Sequence, residues 1–110
     1  MADIKTNLTA AKGRIGALAK AAPDVFDGFA RISKAATRDG SFTTAQKELM
    51  ATAIAVCQGC EDCILYHVDA AKRAGADEAA LAEALAVAVE MGGGPAIMYA
   101  GKALETFRAL

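Results

Sequence analysis

Helix-breaking residues cut this chain into lengths that suit α-helices and little else. Pro23, Asp39-Gly40, Gly59, Gly75 and the run Gly92-Gly93-Gly94-Pro95 fall about 16 to 20 residues apart. Between them, apolar residues recur at steps of three or four, the period of a helix with one buried face. From Asp3 to about Ala21 the repeat runs through Ile4, Leu8, Ala11, Ile15 and Leu18. Pro23 suits the first turn of a second helix, which is expected to bury Val25, Phe26, Phe29 and Ile32 and to end before Asp39. Thr43 with Gln46 three residues on reads as a capping box for a third helix, reaching Cys57 or Gln58. After a break at Gly59, a fourth helix is expected from about Cys60 to Arg73, closed by Gly75. Asp77 caps a fifth through Glu90, and Pro95 opens a sixth that runs almost to Leu110. No segment alternates with a period of two, and no repeat, low-complexity stretch or linker is visible. The expectation is an all-α bundle of about six helices in a single domain over residues 1–110.

Composition narrows the partners. Of the 110 residues, 55% are hydrophobic, above the roughly 45–50% of an average soluble domain. A domain this small has limited interior for so much apolar surface, so a homo-oligomer is expected. The 12 basic and 13 acidic residues leave a net charge of −1 and no basic stripe to follow a phosphate backbone. Nucleic acid is therefore not an expected partner. The uncharged stretch from Leu49 to Cys60 is too short to cross a bilayer, and the start Met1-Ala2-Asp3-Ile4-Lys5 lacks the apolar core of a secretory leader. A cytoplasmic location and no membrane association are the resulting expectations. The glycine run before Pro95 lacks both a preceding strand and a Gly-Lys-Ser/Thr ending, so it reads as a turn and not as a phosphate loop.

All 3 cysteines lie within one short segment, Cys57-Gln58-Gly59-Cys60-Glu61-Asp62-Cys63-Ile64-Leu65-Tyr66-His67. In a reducing compartment an odd, clustered set points to catalysis, metal binding or chance placement in a core helix. Cys60 and Cys63 stand i, i+3, which places both thiols on one helix face with Cα atoms about 5–6 Å apart, within reach of a disulfide. A thiol near the helix start meets unpaired N–H groups and the positive end of the dipole, which favour thiolate. His67, the 1 histidine in the chain, follows Cys63 by one turn and can take and return its proton. Glu48 is the last charge before the uncharged run that ends at Cys60. A hairpin through Gly59 would fold it onto Cys63 and His67, where a carboxylate orients the imidazole or relays a proton. It equally suits a helix's first turns with no further role. Cys57, among Ile54, Ala55 and Val56, reads as a small buried hydrophobe. Three cysteines and a histidine also form a zinc ligand set, although structural zinc sites draw ligand pairs from separate segments. The spacing is that of a ferredoxin run as well, but its helical, apolar continuation does not suit a cluster loop. No metal and no cofactor are expected.

Glu48, then Cys60-x-x-Cys63-x-x-x-His67, in an alanine-rich helical chain of this length, resembles the alkylhydroperoxidase D-like, carboxymuconolactone decarboxylase-type family. The likeness spans roughly residues 20 to 110. The resemblance implies an all-α fold assembled as trimers or, for short members, hexamers. It implies that Cys63 reacts with peroxide to form a sulfenic acid and that Cys60 resolves this to a disulfide. By the same resemblance, Glu48 and His67 relay protons, and a lipoyl-bearing or thioredoxin-like protein supplies the reducing equivalents. Two other functions fit the chain less well: a decarboxylating lyase acting on a lactone acid, and a non-enzymatic metal-binding or sensor oligomer. One departure stands out. The peroxidase branch often has a histidine between its paired cysteines, where this chain has Asp62. Glu61 and Asp62 set two anions beside the thiols, and like charge opposes thiolate.

Overall fold

The computed structural model describes residues 3–110, so the Met1-Ala2 start used in the leader argument lies outside the described residues. Five helices follow one another: α1 (Ile4–Ala21), α2 (Pro23–Thr37), α3 (Thr44–Gln58), α4 (Glu61–Arg73) and α5 (Glu78–Ala109). Most starts are set by a side chain that satisfies a backbone N–H left open by the first turn. Asp3 accepts from Thr6, Asp77 accepts from Ala80, and Thr43 exchanges reciprocal bonds with Gln46. Helix α2 instead begins on Pro23, which has no N–H to satisfy.

The glycine run behaves differently from the sequence expectation. The fifth and sixth helices are one element, α5, broken only at Gly93, where φ is 68° and ψ is −147°. Helical bonding resumes on the far side, so the axis kinks but does not end. Pro95 sits in the first turn beyond the kink, where its missing N–H costs little. Gly92 is needed for the same bend, because a Cβ there would stand 2.7 Å from that of Ala96. By length and composition alone α5 is apolar enough to cross a bilayer, with a mean hydropathy of 1.3 over its best window. Here it is the helix on which α3 and α4 pack.

The core lies among α3, α4 and α5. Val56, Ile64, Val68 and Leu81 are all but sealed from solvent. Thr52 is equally buried and donates its hydroxyl to the carbonyl of Glu48, 2.9 Å away, so no polar atom is left unpaired there. Helix α1 lies across α4 with Leu8 and Ala11 buried, and α2 folds back on α1.

Two expectations fail at this level. Helix α2 buries no residue at all. Val25, Phe29 and Ile32 are 73%, 63% and 66% exposed, and Phe26 alone is half-buried. Helix α2 meets only α1 and α3, so no element of the same chain covers its apolar stripe. Cys57 is likewise exposed and free; it stands at the margin of the contact between α3 and α5, with its thiol donating to the Ala88 carbonyl at 3.4 Å.

Candidate active site

The turn between α3 and α4 builds the site. Helix α3 ends on Gly59 in the left-handed region, with φ 67° and ψ 34°. The Gly59 N–H bonds the carbonyl of Val56 and the Cys60 N–H that of Ala55, the pair of bonds of a Schellman ending. A side chain at Gly59 would be strained by the positive φ and would stand 3.2 Å from the ring of Tyr99. Cys60 follows at once as the N-cap of α4, in extended conformation. The chain thus reverses in two residues and delivers Cys60 to the head of α4.

Cys60 and Cys63 are joined as a disulfide, with Cα atoms 5.2 Å apart. The Cys60 sulfur also takes the place of a capping oxygen, accepting the N–H of Cys63 at 3.3 Å. That N–H and the dipole of α4 act on the same sulfur and stabilise negative charge on it once the bond is reduced.

One turn further along α4, His67 meets α3. Its Nδ1 lies 2.9 Å from Oε2 of Glu48. Glu48 is 5% exposed, a buried carboxylate whose side-chain partner is this imidazole. With Glu48 ionised, Nδ1 carries the proton and donates it, which leaves Nε2 as the ring's free acceptor. The Tyr66 ring stands edge-on to the imidazole with centroids 5.2 Å apart. Cys63 and His67 both line a cavity of about 630 Å³ between α1, α2 and α4. Its other walls are largely apolar, with Ile15, Leu18, Phe26 and Phe29 among them, and its charged groups are Arg14, Lys34 and Asp62.

The structure therefore brings Glu48, Cys60, Cys63 and His67 to one end of α4 and leaves Cys57 out. No three His, Cys, Asp or Glu side chains converge to hold a metal among the described residues. Cys60 and Cys63 are spent on each other and His67 on Glu48. The sequence reading missed the groups that come from afar. Arg14 of α1 pairs with Asp62 at 2.8 Å, and Lys102 of α5 pairs with Glu61. The hydrogen bond that Lys102 donates to Glu61 holds its ammonium pKa above the usual lysine value. Neither cation has a local signal, since each reaches its carboxylate across more than forty residues.

The family model for carboxymuconolactone decarboxylases matches residues 23–106. An uncharacterised protein of Cupriavidus necator is 51% identical over 108 residues, covering 98% of this chain and 96% of the relative. A second, described as uncharacterised protein 4 in the cox locus of Paracoccus denitrificans, is 38% identical over 94% and 92% of the two chains. Among solved structures, a carboxymuconolactone decarboxylase family protein from Legionella pneumophila, in its apo form, superposes with a TM-score of 0.92. It is 36% identical, covering 96% of this chain and 95% of that one. Matched through most of its length in both sequence and helix arrangement, the chain belongs to the carboxymuconolactone decarboxylase family.

Proposed function

We propose that this protein is a thiol-dependent oxidoreductase that reduces peroxides through a Cys60–Cys63 dithiol–disulfide cycle. The observation that carries the reading is the disulfide at the head of α4 with the Glu48–His67 pair one turn beyond it. In the dithiol form, Nε2 of His67 accepts the Cys63 proton. The Cys63 thiolate attacks the terminal peroxide oxygen; an S–O bond forms, the O–O bond breaks, and the leaving alkoxide takes a proton from the imidazolium. Cys60 then attacks the sulfenic sulfur, closing the disulfide and releasing water. Two electrons and two protons from an external dithiol, lipoyl-bearing or thioredoxin-like, reopen it. The apolar cavity beside Cys63 and His67 accommodates an organic hydroperoxide.

The protein works in the cytoplasm as a homo-oligomer, a hexamer or a trimer; the uncovered stripe Val25, Phe29 and Ile32 on α2 supports the association. A decarboxylating role, which the family name also covers, has no need of a paired dithiol, and the bonded cysteines weigh against it.

The test is mass spectrometry of the reduced protein after one equivalent of an alkyl hydroperoxide. The expected product is the Cys60–Cys63 disulfide, with Cys63→Ser inactive and Cys60→Ser arrested as sulfenic acid on Cys63. Reduced cysteines after exposure, or turnover of a muconolactone acid that survives loss of both, would overturn the reading.

A further inference from the structure

The residues directly after Cys60 are Glu61 and Asp62, in the first turn of α4. Their charges suit the positive end of the helix but oppose formation of a thiolate on Cys60 or Cys63. Both carboxylates are held from outside the segment. Arg14 reaches Asp62 from α1 at 2.8 Å, and Lys102 reaches Glu61 from α5. Lys102 also lies 5.8 Å from the centre of the Tyr99 ring, and that ring packs on Gly59, the residue before Cys60. The α5 contact thus holds the redox turn as well as its charge.

We infer that Arg14 and Lys102 are positioning residues for the redox pair: each neutralises one of the two carboxylates that follow Cys60, keeping the dithiol more acidic and its couple more oxidising than the local sequence alone allows. The inference rests on the dithiol reading above. The other charges around the site leave this role to the two cations. Glu48 of α3 is paired with His67 of α4, and Lys34 of α2 lines the cavity away from any carboxylate bonded to it among the described residues. A cation stabilises the thiolate, hence the reduced form, and a stabilised reduced form is a stronger oxidant when it is disulfide-bonded. Both ion pairs are more than half exposed, so screening limits the effect to a few-fold for each.

The experiment measures the Cys60–Cys63 equilibrium against glutathione at pH 8 and the pH profile of Cys63 alkylation. It uses the full chain with Arg14→Gln, Lys102→Gln and the double variant, at low and high salt. At low salt each Gln variant is expected to favour the disulfide by about threefold and the double variant by about tenfold, the latter ~30 mV more reducing. The alkylation profile shifts to higher pH in step, and both shifts shrink in 0.5 M salt, about five times the ionic strength at which the Debye length is ~10 Å. Arg14→Lys and Lys102→Arg, which keep the charge, retain wild-type behaviour. Asp62→Asn and Glu61→Gln, which leave each cation unopposed, move the alkylation profile to lower pH and keep the test open should a Gln variant fold poorly. A reversible couple that is the same in wild type and all charge variants overturns the inference and spares the dithiol reading. Absence of any reversible Cys60–Cys63 bond in the wild type overturns both.

Discussion

His67 and Glu48 are the residues whose pairing gives the site a direction. A histidine on a helix face has two usable nitrogens, and the bond from Nδ1 to Glu48, 2.9 Å long, occupies one of them. His67→Gln, which keeps an amide able to bond Glu48 but cannot carry the proton, is expected to slow peroxide-dependent disulfide formation by about 10²- to 10⁴-fold. Glu48→Gln is expected to slow it less, through loss of the fixed tautomer and not of the base. Stopped-flow measurement of the first oxidation step distinguishes the two. Equal rates in wild type and His67→Gln would remove the imidazole from the chemistry.

Among the elements, the kinked α5 and the entry to α3 make separate predictions. Alanine is the better helix former by about 1 kcal/mol, so local propensity predicts that Gly93→Ala stabilises α5. The backbone at Gly93, with φ 68° and ψ −147°, lies where a Cβ is strained. The tertiary constraint is expected to win, and the substitution should cost about 1–3 kcal/mol in urea unfolding. At the start of α3, Asp39 accepts both the N–H and the hydroxyl of Thr44, at 2.7 and 3.1 Å. The backbone bond first, the hydroxyl bond next and Lys47 at longer range hold its carboxyl below its usual 3.8. A carboxyl lowered by folding contributes stability that is complete above its unfolded value and is lost as pH falls through its folded one. Asp39→Asn should therefore flatten the fall in stability below about pH 4, as read by denaturant titrations at several pH values. An unchanged acid slope would show that the bond to Thr44 carries no such weight.

At the scale of the whole molecule, the chain supplies less cover than its apolar faces need. Helices α3, α4 and α5 seal one another, while Val25, Phe29 and Ile32 of α2 stay mostly exposed. Their i, i+4, i+7 spacing is that of a helix face made to pack, and its exposure in the isolated chain accounts for the proposed association. If the proposed oligomer forms through this face, Val25→Asp with Ile32→Asp is expected to leave monomers in sedimentation velocity runs where the unaltered chain sediments as an assembly. The Cys60–Cys63 bond should still form, because its geometry belongs to the α3–α4 turn. Unaltered sedimentation would place the subunit contact on another face.

What the amino-acid order decided alone is whatever helix geometry enforces within a turn or two. Thr43 and Gln46 cap α3, Gly59 ends it, and Cys60, Cys63 and His67 fall on one side of α4, because 3.6 residues per turn leaves no alternative. The all-helical fold was legible for the same reason. The meeting of Glu48 with His67 was suggested only by a hairpin through Gly59, and the hydrogen bond itself depends on how closely α3 and α4 pack. The tertiary structure alone decided which cations answer Glu61 and Asp62, since Arg14 and Lys102 are brought in by the packing of α1 and α5. It also decided that Gly93 bends a continuous α5 and that the apolar side of α2 stays uncovered. Periodicity marks a face as apolar, but burial depends on what stands opposite, and that is a property of the assembled helices.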